Sequence, residues 1–140
     1  MKELVIEAIA ENLYEVLEFV NTELDGMGAH SELQMQISIA VEEIFSNIVH
    51  YAYHPDVGSV AVRVTVGHEV TIEFEDCGVP YNPLEAPPPD IDASLDEREI
   101  GGLGVFMVKN IMDEVEYRHE EGKNILIIKK GISSETGLSM

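Results

Sequence analysis

The chain has 140 residues, 45% of them apolar, which is enough for one domain with a real hydrophobic core. It carries 27 acidic against 8 basic residues, a net charge of −19, so its surface repels nucleic acid and anionic membrane. Its one cysteine, Cys77, excludes an internal disulfide, and no apolar run approaches the ~20 residues of a membrane span.

The N-terminus is acidic and amphipathic rather than a signal peptide, and the cytoplasm is the expected location. Leu4 to Ala10 reads as a first strand with weak alternation. Asn12 is a candidate cap for a helix whose stripe is Leu13, Val16, Leu17, Val20 and Leu24, ended by Gly26 and Gly28. Ser31 and Gln34 have the spacing of a capping box. They open a second helix with Leu33, Ile37, Ala40, Val41, Ile44 and Ile48 on its apolar face, running to about Tyr53 before Pro55.

Val60, Val62, Val64 and Val66 alternate as a strand, Gly67-His68 reads as a hairpin turn, and Val70, Ile72 and Phe74 alternate as its partner. Cys77 is expected to fill space at the end of that strand. From Pro83 to Ile100 the pattern stops: three consecutive prolines and a run of acids, with Arg98 as the single base, predict a mobile lid or an insertion. Gly104 to Met112 predicts a short helix with Val105, Val108 and Met112 on one face. Glu114 to His119 and Ile125 to Ile128 predict a closing hairpin around Glu121-Gly122-Lys123. Residues 1–131 make one domain and 132–140 a loose tail. The element order predicts an α+β fold, a two-layer sandwich in which helices cover one face of a mixed, mainly antiparallel sheet. A doubly wound parallel sheet does not fit, because helices and strands do not alternate.

Chemistry-bearing residues gather in three places. Glu43 and Asn47 lie four apart, on one face of a helix whose neighbours Ile44, Phe45, Ile48 and Val49 are apolar. Polar groups there need solvent in a cleft or a bound partner. Asn47 offers a neutral oxygen suited to Mg²⁺, and Glu43 a base toward a hydroxyl. A solvated helix edge with a local hydrogen bond fits the same spacing. His50 and His54 share the spacing, but no third ligand makes a zinc site. Asp76 precedes Gly78 at a strand end; the carboxylate suits an exocyclic amine such as adenine's, and an ordinary Asp-x-Gly turn is the plain alternative. Gly101-Gly102-Leu103-Gly104 opens a helix, where backbone N–H groups hold phosphate. A chain this acidic would repel bare ATP, so a phosphate ligand requires Mg²⁺ and such N–H groups.

In order, Glu43-x-x-x-Asn47, Asp76-x-Gly78, a lid and Gly102-x-Gly104 resemble the motifs of the histidine-kinase-like ATPase superfamily, the Bergerat fold. The stretches Val41–Tyr53 and Gly101–Tyr117 resemble most closely its stand-alone branch of anti-sigma-factor serine/threonine kinases. The resemblance covers about residues 1–130. It implies an ATP site with Mg²⁺ on Asn47, Glu43 as the base for a serine hydroxyl on a partner protein, and Asp76 reading the adenine amine. It places Gly78 near the ring, and the N–H groups of Gly102, Leu103, Gly104 and Val105 on phosphate. Arg98 is a γ-phosphate contact by the same resemblance; an exposed charge in an acidic loop accounts for it equally well. The implied partners are an antagonist-type substrate protein, with a sigma factor and a second copy of the chain as further candidates.

Two features depart from the family. Val79-Pro80 follows Gly78 where many relatives carry a further glycine, and the late strand Ile125–Ile128 supplies no threonine near the adenine. Three readings follow: an ATP-dependent protein kinase, a nucleotide-binding module that sequesters a partner without turnover, and an interaction domain with a vestigial pocket.

Overall fold

The computed structural model describes residues 1–53, 56–82 and 102–132, with the backbone alone at 102–106. Five strands and three helices follow in the order β1 (Lys2–Glu7), α1 (Leu13–Gly26), α2 (Ser31–Asn47), β2 (Ser59–Val66), β3 (Glu69–Asp76), α3 (Gly102–Ile111), β4 (Glu114–Glu120) and β5 (Lys123–Gly131). A π-helical turn, Ile48–Ala52, extends α2. The strands form one sheet in the order β1-β2-β3-β5-β4, and every pairing is antiparallel where a mixed sheet was expected.

Alternation assembles the core. Leu4, Val62, Phe74, Leu126 and Tyr117 stand in register across all five strands and face the helices. Val16, Val20 and Leu24 of α1 and Leu33, Ile37, Val41, Ile44 and Phe45 of α2 close over this face. Fully buried side chains of this size stabilise by roughly 1.5–3 kcal/mol each. On the opposite face, Arg63 joins β1, β2 and β3 through Glu3 at 2.7 Å, Glu73 at 2.6 Å and Glu75 at 3.0 Å. Among the described residues, no helix is long and apolar enough to cross a membrane.

Local chemistry differs from the sequence expectation at several boundaries. Strand β1 ends at Glu7, and a 3₁₀ turn at Ala10–Asn12 leads into α1. Asn12 does not cap α1: its Nδ2 donates back to Glu7 O at 2.9 Å, closing that turn instead. The cap of α2 is His30, whose Nδ1 accepts from Leu33 N–H at 3.4 Å; Gln34 is turned away to Asp25 and Ala29 O, so the Ser31–Gln34 box does not form. Helix α3 starts at Gly102, so two glycines lie inside its first turn rather than before it. Gly67 and His68 separate β2 from β3 as expected, with Glu69 lying beyond the last β2–β3 pair, Val66 and Val70, and Val66 at the strand end is exposed. The second turn is the two residues Glu121 and Gly122, at φ 52° and 77°, as a type I′ hairpin requires. Cys77 is exposed and fills no space. The expected lid and its Arg98, together with His54, lie outside the described residues.

The segment after β3 comes close to the helical layer at Gly78. A Cβ there would stand 2.2 Å from Ala52 O, while Val79 N–H donates to that same oxygen at 2.9 Å. The glycine is thus required by backbone packing, whatever ligand lies nearby. Gly78→Ala should destabilise the fold by about 1–3 kcal/mol, read as a lower urea midpoint; an unchanged midpoint would show that this contact is not tight.

Candidate active site

A cleft opens where the C-terminal end of α2 approaches the adjoining ends of β3 and β5. The space in and over it, bulk solvent at its mouth included, is about 410 Å³. Its walls are apolar, from Ile44, Ile48, Phe74 and Leu126. Three polar side chains are buried among the described residues, Asn47, Asp76 and Asn124, and all three line this cleft. Concave apolar walls with a few convergent polar groups are the ordinary form of a small-molecule site.

Asn47 is the last residue of α2, one turn after Glu43, where the helical repeat turns it toward the sheet. It is 5% exposed, and neither Oδ1 nor Nδ2 has a hydrogen-bond partner. A buried polar group left unpaired costs about 1–3 kcal/mol, so an amide with both ends unpaired is a fit for a ligand. Among the described residues no three His, Cys, Asp or Glu side chains gather as a metal site. A cation held here by Asn47 therefore draws its remaining ligands from the molecule it accompanies and from water, the habit of Mg²⁺. The helix widens into its π turn directly after Asn47, a distortion common at functional sites.

Asp76 ends β3 on the helix-facing side. Its Oδ1 accepts from Gly78 N–H at 2.9 Å and from Asn124 Nδ2 at 3.0 Å. Burial raises the Asp76 carboxyl above its ordinary value, Glu75 adds to the rise, and the hydrogen bonds from Asn124 and Gly78 and the charge of His119 work against it. Register explains the contact with Asn124: Asp76 and Asn124 are directly paired between β3 and β5.

Asn124 was not singled out by the sequence. It lies one residue before the apolar run Ile125–Ile128, and it supplies an amide where no late-strand polar group was expected. Tyr81 was missed as well; it stacks on Tyr51 with ring centroids 5.1 Å apart and lines the cleft. Tyr53 was read only as a helix end, yet its hydroxyl donates to Ser59 O at 2.8 Å and accepts from Cys77 N–H at 2.7 Å, tying the π turn to β2 and the end of β3. Spacing could not have found these residues, because each acts across the sheet or between layers.

Glu43 is half-buried and lies outside the cleft lining. Its carboxyl is raised above the ordinary value by burial and by the neighbouring charge of Glu42. The structure thus brings Asn47, Asp76 and the backbone at Gly78 together and sets Glu43 one turn back. Gly102, Leu103, Gly104 and Val105 are the first four residues of α3, whose N–H groups have no intrahelical acceptor. Helix α3 packs on α2, with Val108 and Met112 buried. His50 Nδ1 lies 2.8 Å from Ser46 O, an intrahelical contact rather than a metal ligand's.

The model for the histidine kinase-like ATPase domain matches residues 6–130. The serine-protein kinase RsbW of Bacillus mycoides (strain KBAB4) is 29% identical over 108 residues, 74% of this chain and 68% of that one. The protein of the same name from Bacillus cereus (strain AH187) is 32% identical over 98 residues, 66% of this chain and 61% of that one. The chain therefore spans somewhat under two thirds to just over two thirds of these relatives. Among solved structures, the SiaB-SiaC complex from Pseudomonas aeruginosa superposes with a TM-score of 0.54 at 15% identity, over 92% of this chain and 89% of that one. The histidine kinase domain of the blue-light activated histidine kinase EL346 from Erythrobacter litoralis gives 0.55 at 18% identity, over 90% of this chain and 64% of that one. At these identities the structural likeness is one of fold.

Replacing Asn47 by leucine keeps the branched shape and exchanges two orphaned polar atoms for bulkier methyl groups. Asn47→Leu should stabilise the ligand-free protein by about 1–2 kcal/mol in urea unfolding. A loss of stability would mean that the amide is already satisfied in the free fold.

Proposed function

The chain belongs to the histidine kinase-like ATPase domain family, and from that premise we propose that it is an ATP-dependent serine/threonine protein kinase of the anti-sigma-factor type. Its substrate is a small antagonist protein in a partner-switching circuit, and it works in the cytoplasm. A sigma factor and a second copy of the chain are further partners in this reading. The relatives named serine-protein kinases support the activity class. The observation that carries it to this cleft is the buried, unpartnered amide of Asn47 facing Asp76 across apolar walls.

Each side chain then has a task. Asp76 accepts a hydrogen bond from the exocyclic amine of adenine, and Phe74 and Ile48 supply the apolar walls for the ring. Asn47 holds Mg²⁺, which when bound offsets the charge of the phosphates. The N–H groups of Gly102, Leu103, Gly104 and Val105 take phosphate oxygen at the start of α3. Glu43 accepts the proton of the partner's serine hydroxyl. Arg98 is a contact to the γ-phosphate in the same reading. The strong negative charge favours a partner with a basic docking face.

A second reading, a nucleotide-holding module that sequesters its partner without turnover, draws on one feature. Val79 is pinned on both sides, its N–H by Ala52 O at 2.9 Å and its C=O by Asn124 at 2.9 Å, just before Pro80. Such a fixed segment suits holding more than cycling. Glu43→Gln separates the two readings. For a kinase it lowers phosphotransfer to the antagonist by about 10²–10⁴-fold and leaves Mg-ATP affinity within about threefold. Turnover unaffected by this change would remove Glu43 from the chemistry.

Asp76 gives a pH signature. The amine acceptor is the carboxylate, and its pKa in the fold is raised by burial. Adenine-nucleotide affinity should therefore decline as pH falls through that raised value, at a higher pH than for an exposed aspartate. Calorimetry across pH 4–8 reads this. The Asp76→Asn profile should be flatter, and identical profiles would separate Asp76 from the base.

A further inference from the structure

The side chain hydrogen-bonded to Asp76 has no role in the scheme above. Asn124 is 6% exposed and makes use of its whole hydrogen-bonding capacity. Its Nδ2 donates to Asp76 Oδ1 at 3.0 Å and to Val79 O at 2.9 Å, with Gly78 O further off at 3.4 Å. Its Oδ1 accepts from Tyr81 N–H at 3.3 Å and from the Tyr117 hydroxyl, in a short contact. Two donors and two acceptors therefore fix which way the amide faces: nitrogen to the carboxylate, oxygen to Tyr117 and Tyr81. A flipped amide would set its oxygen against Asp76 and Val79 O, acceptor on acceptor.

This arrangement has a chemical consequence for the base, on the reading that the cleft holds a nucleotide. Gly78 N–H and Asn124 Nδ2 both occupy Oδ1 of Asp76. Two donors to one oxygen favour the ionised carboxylate and leave its other oxygen as an acceptor. Adenine presents an amine donor at its six position, whereas guanine and hypoxanthine present a carbonyl. A protonated or rotated carboxyl could donate to that carbonyl, and an ionised, fixed one cannot.

We infer that Asn124 is a positioning residue that sets selectivity for a 6-amino over a 6-oxo purine, by fixing Asp76 as an acceptor and tying it to the backbone at Val79 and Tyr81. Asn124 acts through Asp76 and the Gly78–Tyr81 segment and need not touch the ligand itself. The late strand thus does with an amide what no hydroxyl on Ile125–Ile128 can do. Because Val79 and Tyr81 hang on the same side chain, base recognition and the position of that segment are coupled through one amide.

The test compares the affinities of Mg-ATP and Mg-GTP by calorimetry on the full chain, with thermal unfolding to confirm folding. For the unmodified protein ATP is preferred. In Asn124→Leu the ATP-to-GTP ratio should fall at least about tenfold, by weaker ATP binding, stronger GTP binding or both. Asn124→Thr, which returns one donor, should recover part of the ratio. Tyr117→Phe keeps the amide but removes one group that orients it, and should shift the ratio in the same direction by less. That variant carries the test if Asn124→Leu does not fold. Unchanged ratios in folded Asn124→Leu and Tyr117→Phe would overturn the inference while leaving nucleotide binding intact. An unmodified protein that binds neither nucleotide would overturn the nucleotide reading itself, and the inference with it.

Discussion

A buried amide with nothing to bond to is the constraint on which the site turns. Asn47 sits at the seam between helices and sheet, among Ile44, Ile48, Phe74 and Leu126, where leucine would serve packing better. Folding left two unpaired polar atoms in that place, at a cost of about 1–3 kcal/mol for each in a chain whose whole stability is of order 10 kcal/mol. On the proposed reading, such a residue is explained by what it binds. The rest of the cleft is arranged around it: apolar walls from Ile44, Ile48, Phe74 and Leu126, and one carboxylate, Asp76, in the same lining.

The sheet and the helices hold this seam open by separate means. On the sheet side, register places Asp76 beside Asn124, and their hydrogen bond joins β3 to β5 by side chains as well as by backbone. On the helical side, the π turn carries α2 past Asn47 to Ala52, whose carbonyl receives Val79 N–H. Gly78 is the point where the two sides touch, and Tyr53 braces it from beneath through Cys77 N–H and Ser59 O. The cleft is therefore rigid at its inner end. The charged network around Arg63 lies on the opposite face and has no part in it.

Periodicity made the framework legible in the amino-acid sequence. The valines of β2, the alternation of β3 and the stripes of α1 and α2 each report burial on one face, and burial decides those elements. Order and spacing also pointed to the family, through Glu43, Asn47, Asp76 and the glycines at 102 and 104, and the family model matches residues 6–130. Local polar chemistry was harder to read. Asn12, Ser31 and Gln34 have the right composition for caps, but the backbone put Glu7 O, Asp25 and Ala29 O within their reach instead. Asn124 was invisible for a different reason: its partners come from β3, β4 and the segment after β3, so it is the pairing of β3 with β5 that reveals it. Gly78 was legible as a glycine with a purpose, while the purpose the fold gives it is contact with Ala52.

The partner proposed for the unpaired amide of Asn47 is a magnesium nucleotide. The direct measurement is the NMR signal of the Asn47 side-chain amide during titration with Mg-ATP, assigned by its disappearance in Asn47→Leu. The account predicts that this signal moves saturably with Mg-ATP and moves much less with ATP in the presence of a chelator. Saturation by Mg-ATP with the Asn47 signal unmoved would contradict it, as would the absence of any response to adenine nucleotide.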